Sequence, residues 1–295
     1  MHTETDRFTV MKTDRFSTEL GSPGMATNRP VALVTGASSG IGKAAAIALV
    51  EAGFDVVGTS RDTSRVTPLD GATFLDLDVA SDTSATAAVQ QVIERFGRID
   101  VLVNNAGMGA IGAVEESSVA QAQDLFNVNV FGVMRMTKAV LPHMRAQGRG
   151  RIINLSSVVG FLPSPYMAAY AASKHAIEGY SESLDHEVRE HGVRALLVEP
   201  AYTSTGFEAN SPRPDTPLQV YANQRRAFDR MMETAIKDGD DPAIVAKVIV
   251  EAATDPKPKL RYTAGSLAGR ASTLRRIAPA RVFDKQIRKL NQLAG

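Results

Sequence analysis

The sequence contains no cysteine. Disulfides, a thiol nucleophile and any Cys-ligated metal site are therefore excluded. Charge of either sign is not in excess: 33 Lys and Arg stand against 32 Asp and Glu, a formal +1. Such a balance gives no general attraction to nucleic acid. No apolar run approaches the ~20 residues a membrane-spanning helix needs. The opening residues, Met1-His2-Thr3-Glu4-Thr5-Asp6, lack the basic and apolar regions of a secretory signal. His143, His175, His186 and His191 show no metal-ligand spacing and read as surface residues. The expectation left standing is a cytoplasmic protein. Its 295 residues, 44% of them apolar, suffice for one large α/β domain or two small ones.

Residues 1–28 are polar and broken by Gly21-Ser22-Pro23-Gly24, and are expected to be a disordered extension. From Pro30 onward, strand and helix patterns alternate. Val31-Ala32-Leu33-Val34 is a short continuous apolar run, as in a strand buried on both faces. Further strands are expected at Asp55–Thr59, Thr73–Leu77, Asp100–Val103, Arg151–Leu155 and Val193–Val198, with a short last one near Lys259–Tyr262. Helices are expected between them, two of them long: about Val119–Gln147 and Met167–Glu190. This alternation implies a single doubly wound parallel sheet of about seven strands, with helices on both faces. Residues 29–262 form the expected domain. After Pro200 the pattern fails until about Asp241, and residues 202–232 are expected to be an irregular substrate loop. Residues 263–295 read as a basic tail: from Lys257 onward, ten Lys and Arg face Asp284 alone.

Where the first strand should turn into the first helix stands Thr35-Gly36-Ala37-Ser38-Ser39-Gly40-Ile41-Gly42. A helix N-terminus at that point offers free N–H groups and a positive dipole end to a phosphate. Gly36 permits the tight turn, Gly40 lets backbone approach a pyrophosphate, and Gly42 lets helix and strand pack closely. A dinucleotide cofactor is expected. An acid at the end of the second strand would accept the ribose hydroxyls of NAD. The chain instead has Ser60 followed by Arg61, with Asp62 one position late. A guanidinium pairs with a 2′-phosphate, so NADP(H) is favoured over NAD(H).

Tyr170 and Lys174 stand four apart, on one face of the expected helix, and Ser157 precedes the tyrosine by thirteen residues. Hydride exchange with a carbinol carbon needs a matching proton transfer at oxygen. A free phenol, with pKa ~10, is a poor base near neutrality. An adjacent ammonium would stabilise the phenolate. Lys174 would also hold the ribose hydroxyls, and Ser157 would orient the substrate oxygen.

These motifs resemble the classical short-chain dehydrogenase/reductase family over roughly Pro30 to Tyr262. Thr35–Gly42 matches that family's cofactor turn, and Ser157, Tyr170 and Lys174 match its catalytic residues. The resemblance implies further roles. Asn104-Asn105-Ala106-Gly107 matches the motif that supports the sheet beside the adenine ribose. Asp78-Val79 matches the pair that contacts adenine, and Asn129 the asparagine that anchors a water of the proton relay. Thr205 matches the threonine at the nicotinamide carboxamide. The implied cofactor set is Gly36, Ser38, Ser39, Gly40, Ile41, Gly42, Ser60, Arg61, Asp78, Val79, Asn105, Ala106, Gly107, Tyr170, Lys174, Pro200, Thr203 and Thr205. One departure is visible: Pro200-Ala201 replaces the usual Pro-Gly. The resemblance also implies strand order 3-2-1-4-5-6-7 and a homodimer or homotetramer built on the two long helices. Thr59-Ser60-Arg61 and the basic C-terminus resemble hydroxysteroid- and retinol-dehydrogenase-like members.

The expected activity is NADP(H)-dependent exchange between a carbonyl and a secondary alcohol. A silent NADP(H)-binding sensor or scaffold is the alternative, and the complete Ser157/Tyr170/Lys174 set argues against it. Reduction of a carbon–carbon double bond fits less well, because related enoyl reductases space the lysine further from the tyrosine. Met108, Phe161, Leu162, Pro163, Phe207, Tyr221, Phe228 and Met231 are the apolar residues expected at the substrate, which favours a lipophilic one.

Overall fold

Seven short strands lie side by side in the order β3-β2-β1-β4-β5-β6-β7, all parallel. They are β1 (Val31–Val34), β2 (Asp55–Ser60), β3 (Ala72–Asp76), β4 (Val101–Asn104), β5 (Gly150–Leu155), β6 (Val193–Pro200) and β7 (Arg261–Ala264). The computed structural model describes residues 28–208, 211–291 and 293. The extension expected at residues 1–28 lies almost wholly outside them. Parallel neighbours need a crossover, and each crossover covers a face, so the central strands β1 and β4 are buried at every residue.

The order reverses between β1 and β4, which opens a crevice at the carboxyl ends of the strands. One face is covered by α1 (Gly40–Glu51) and α7 (Pro242–Thr254), whose alanines allow close approach. The other carries α2 (Asp82–Phe96), α4 (Gly132–Gln147) and α5 (Ala168–Val188). In α2 the inward residues Ala85, Ala88, Val89 and Val92 recur at helical spacing. Ser81 caps its start by accepting from the Ser84 N–H, and Gly97, at φ 73°, ends it.

Three segments differ from the sequence expectation. The long helix Val119–Gln147 is α3 (Val119–Phe126) and α4 joined by a π turn at Asn127–Phe131. Residues 202–232 are not irregular throughout, because α6 (Ala222–Lys237) takes up about their last third. Its inward Phe228 and Met232 sit one turn apart within a strongly charged sequence, which hid the apolar stripe. The segment expected as a basic tail forms α8 (Ser266–Ile277) and α9 (Ala280–Leu290). Ala268 and Phe283 anchor these two helices, and the Arg275 guanidinium lies over the Phe283 ring at 4.7 Å. Among the described residues no helix is long and apolar enough to cross a membrane.

Candidate active site

The glycine turn after β1 is built by close contacts. Gly36 and Gly40 have φ of 66° and 52°, which side chains rarely adopt. A Cβ on Gly42 would overlap the Gly36 carbonyl oxygen and the Asn105 amide. Asn105 Nδ2 donates to the Thr35 and Gly36 carbonyls at 2.9 and 3.1 Å. The N–H groups of Asn105 and Ala106 both donate to Thr35 Oγ1, at 3.0 and 2.9 Å. Asn105 thus shapes the turn from below. Above it, exposed Ser38 and Ser39 and half-buried Ile41 lead into α1. Ser39 makes no side-chain capping bond, so the first N–H groups of α1 stay available to a phosphate.

The other predicted cofactor residues rim the same crevice. Ser60 ends β2, and its hydroxyl donates to the Asp62 carbonyl at 3.3 Å. Arg61 is exposed and has no hydrogen-bond or ion-pair partner among the described residues. Asp62 is turned away from it: its carboxylate accepts from Ser64 and pairs with Arg65 at 2.9 Å. Asp78 is exposed and caps the turn after β3 by accepting from the Ala80 N–H, while Val79 is buried against Gly132. Gly107 lies under the Asn129 carboxamide. Pro200 ends β6. Ala201 has no positive φ, so its methyl group brings no backbone strain. Thr203 is buried and donates to the Ala201 carbonyl at 3.2 Å. Thr205 sits across the turn, 3.3 Å from where a Gly40 Cβ would stand.

Ser157, Tyr170 and Lys174 converge at the end of β5. Ser157 starts a one-turn 3-10 helix, where its Oγ accepts from the Val159 N–H at 3.3 Å, and its hydroxyl stands near enough to the Tyr170 phenol to favour ionisation there. Tyr170 and Lys174 lie one turn apart on α5, both 8% exposed. Lys174 Nζ donates to the Leu155 carbonyl at 2.7 Å and is 5.6 Å from the Tyr170 ring centre. Burial pulls the lysine pKa down to about 8, opposed by the Glu178 carboxylate. Burial, and then the charge of Glu208, push the tyrosine pKa up; the Ser157 bond opposes them. An acidified phenol was expected from the sequence. Here the ammonium is held by the Leu155 carbonyl, and burial outweighs the bond from Ser157 in setting the direction of the phenol's pKa.

Asn129 sits in the π turn, almost fully buried. Its Oδ1 accepts from the Met108 N–H at 2.9 Å, and its Nδ2 donates to the Met108 carbonyl at 2.8 Å and to Ser173 Oγ at 3.2 Å. The side chain therefore ties the loop after β4 to α5.

A lid closes over Tyr170. Met108, Phe207, Phe228 and Met231 join one apolar cluster with Tyr170, Ile111, Tyr166, Met167 and Tyr202. The ring centres of Phe207 and Tyr170 are 5.7 Å apart. Tyr166, at φ 62°, packs on Phe228 at 5.7 Å, and its carbonyl accepts from the Gly112 N–H at 2.8 Å. Of the expected apolar residues, Phe161, Leu162 and Pro163 stand outside this cluster. Tyr221 turns its hydroxyl outward to Glu115 at 2.9 Å.

Two acids at the site were missed. Glu116 is fully buried and pins the lid: it pairs with Arg225 and accepts from the Leu218 N–H at 2.7 Å. Glu208 follows Phe207 in the lid, and its charge is felt at the Tyr170 phenol. For Glu116 the sequence carries no signal. For Glu208 the signal is one acid directly after Phe207 in the segment expected to cover the substrate.

A parallel sheet that reverses beside a glycine turn and an uncapped helix start defines a dinucleotide-binding α/β protein. A sequence model described as short chain dehydrogenase matches residues 30–215. A 3-ketodihydrosphingosine reductase from Bacteroides thetaiotaomicron is 40% identical over 239 residues, spanning 80% of this chain and 88% of that protein. Retinol dehydrogenase 8 of Bos taurus is 35% identical over 252 residues, 78% of this chain and 79% of the relative. A short-chain dehydrogenase structure from Streptomyces avermitilis superposes with a TM-score of 0.77 at 36% identity, covering 90% and 98% of the two chains. Two further structures contain a cofactor. One from Burkholderia phymatum has NAD (29% identity, TM-score 0.69, 81% and 90% covered), and a metagenomic one has NADP (30%, 0.61, 80% and 96%). The chain belongs to the short-chain dehydrogenase family of oxidoreductases.

Proposed function

We propose that this protein is an NADP(H)-dependent reductase of lipophilic ketones, with Tyr170 as the proton donor. The observation that carries the reading is the meeting of Ser157, Tyr170 and Lys174 at the end of β5, beside the glycine turn and the uncapped start of α1. The cradle fits the cofactor because the first N–H groups of α1 are free and Gly36, Gly40 and Gly42 permit the tight turn that presents them. NADPH, when bound, supplies the hydride.

The chain's own residues do the rest. Ser157 donates to the substrate oxygen and fixes its position. Tyr170 gives that oxygen a proton as charge builds on it. A phenol held protonated by burial suits this reducing direction. Lys174, charged below about 8, leaves the Leu155 carbonyl to hold the ribose hydroxyls and stabilise the resulting phenolate. Asn129 acts as a positioning residue between Met108 and Ser173 and anchors the water through which the proton is replaced. Asp78, Val79, Asn105, Ala106 and Gly107 line the adenosine side, and Pro200, Thr203 and Thr205 the nicotinamide side.

Arg61, unpaired among the described residues and unopposed by Asp62, supports NADP(H) over NAD(H). The apolar lid over Tyr170 supports a lipophilic substrate, as do relatives named for a ketodihydrosphingosine and for retinol. Residues 29–262 constitute the catalytic domain in this reading. The working form is a cytoplasmic homodimer or homotetramer assembled on the helices that follow β4 and β5. The test is absorbance of NADPH in the presence of a long-chain ketone. Ketone-dependent oxidation is expected, whereas tight NADPH binding with no turnover of any ketone would make the protein a silent binder instead.

A further inference from the structure

Behind Lys174 on α5 runs a line of acids. Lys174, Glu178 and Glu182 stand at intervals of four, so they share one face of the helix. Arg261, at the start of β7, reaches across to this face. Its guanidinium donates to Glu178 Oε2, to Glu182 Oε1 at 2.7 Å and to Glu199 Oε1 on β6 at 2.5 Å. Three carboxylates thus share one guanidinium. Glu178 and Glu199 are almost fully buried, and Glu182 is half-exposed.

The other oxygen of Glu178 faces the turn that begins at Ser157. Glu178 Oε1 is buried and has no hydrogen-bond partner, and the same holds for Ser156 Oγ. Both lie against Gly160: a Cβ there would stand 2.9 Å from Oε1 and 2.5 Å from the hydroxyl. Gly160 closes the turn, its N–H donating to the Ser157 carbonyl at 2.8 Å. Leu155, whose carbonyl holds Lys174 Nζ, comes one residue before Ser156. Glu178 is therefore lodged between Arg261 and the segment that carries both Ser157 and the partner of the lysine.

Lys174 is buried, and its ammonium meets a neutral carbonyl on one side and the Tyr170 ring on the other. A buried cation so placed is unfavourable without an opposite charge nearby. The acid cluster supplies one. Burial raises the Glu199 pKa, and the charge of Glu178 raises it further, against Arg261 and Arg276. Were Glu199 to hold a proton, Glu178 and Glu182 would still set two negative charges against Arg261, leaving one in surplus. Glu178 is the member one helical turn from the lysine. Its charge opposes the downward pull of burial on the Lys174 pKa.

We propose that Glu178 is a positioning residue of the proton-transfer site: it is the buried counter-charge that keeps Lys174 an ammonium, and Arg261 holds it there. This rests on the role given to Lys174 in the reductase reading and deepens it.

The experiment follows the Cε resonance of isotopically labelled Lys174, assigned by its loss in Lys174→Met, as pH is raised on the full chain without cofactor. Wild type should titrate at about 8. Glu178→Gln keeps the shape and an acceptor for Arg261 but removes the charge. Burial then acts unopposed, so the midpoint should fall by about one pH unit, and NADPH affinity should be lost at correspondingly lower pH. Glu178→Asp keeps the charge but withdraws it by one methylene, and its midpoint should fall by less. A midpoint in Glu178→Gln at or above that of wild type overturns the inference, whatever the protein turns over. Should Glu178→Gln fail to fold, Glu178→Asp decides, and an unchanged midpoint there overturns it equally. A midpoint that falls without NADPH affinity following it upholds the counter-charge and refutes the ribose contact of Lys174, so the two failures are told apart.

Discussion

Coenzyme choice can be reversed at the end of β2. A 2′-phosphate held by Arg61 gains a charge-assisted hydrogen bond, ~1.5–3 kcal/mol in general. Arg61 is exposed, and salt screens exposed charges. The low end of that range therefore applies, about tenfold in affinity ratio. Asp62 does not offset it, because its carboxylate is engaged with Ser64 and Arg65. Wild type should use NADPH about tenfold better than NADH, and the margin should shrink as salt rises. The double change Ser60→Asp with Arg61→Ile places an acid where the ribose hydroxyls arrive and removes the cation, so NADH should become the better coenzyme. The assay is kcat/KM for each coenzyme in both proteins at two ionic strengths. Equal use of NADH by wild type, or an unchanged NADPH preference in the double variant, would refute the assignment of Arg61.

Two further outcomes test the lysine and the lid. Below about 8, Lys174 in the free protein is charged, the form that the proposed ribose contact requires; as pH rises through that value the charge is lost. NADPH should therefore bind more weakly at pH 9 than at pH 7 by titration calorimetry. Lys174→Met should bind weakly at both, and a pH-independent wild-type Kd would rule the contact out. Glu116→Gln removes the charge that Arg225 meets while keeping the acceptor for the Leu218 N–H. Such a loss costs on the order of 1.5–3 kcal/mol locally. Amide exchange over residues 211–221 should accelerate tenfold or more while the sheet is unchanged, and equal protection in both proteins would show that Glu116 does not hold the lid.

Where the chain follows one local rule, the sequence was enough to read it. The apolar run Val31–Val34, the three glycines and the Tyr170/Lys174 spacing lead directly to a parallel sheet and to three side chains at one crevice, while the strand order was implied by the family resemblance. Segments that answer to tertiary contacts were harder. Phe228 and Met232 look like isolated apolar residues among charges until the lid docks on Tyr170. The π turn that aims Asn129 at Met108 leaves no compositional trace. Glu116 reads as a surface acid, since its partners Leu218 and Arg225 lie about a hundred residues away. The Lys174 spacing was legible, but its hold on the Leu155 carbonyl and the upward push that burial gives the Tyr170 pKa depend on tertiary packing.

The most direct test of the central claim is single-turnover reduction of a long-chain ketone by NADPH in wild type and Tyr170→Phe. General acid help is worth ~10²–10⁴-fold. The variant loses only the phenolic oxygen that meets Ser157, and the ring still packs on Phe207. The account predicts a rate at least ~10²-fold lower with NADPH affinity retained. A variant that reduces the ketone at nearly the wild-type rate would contradict it.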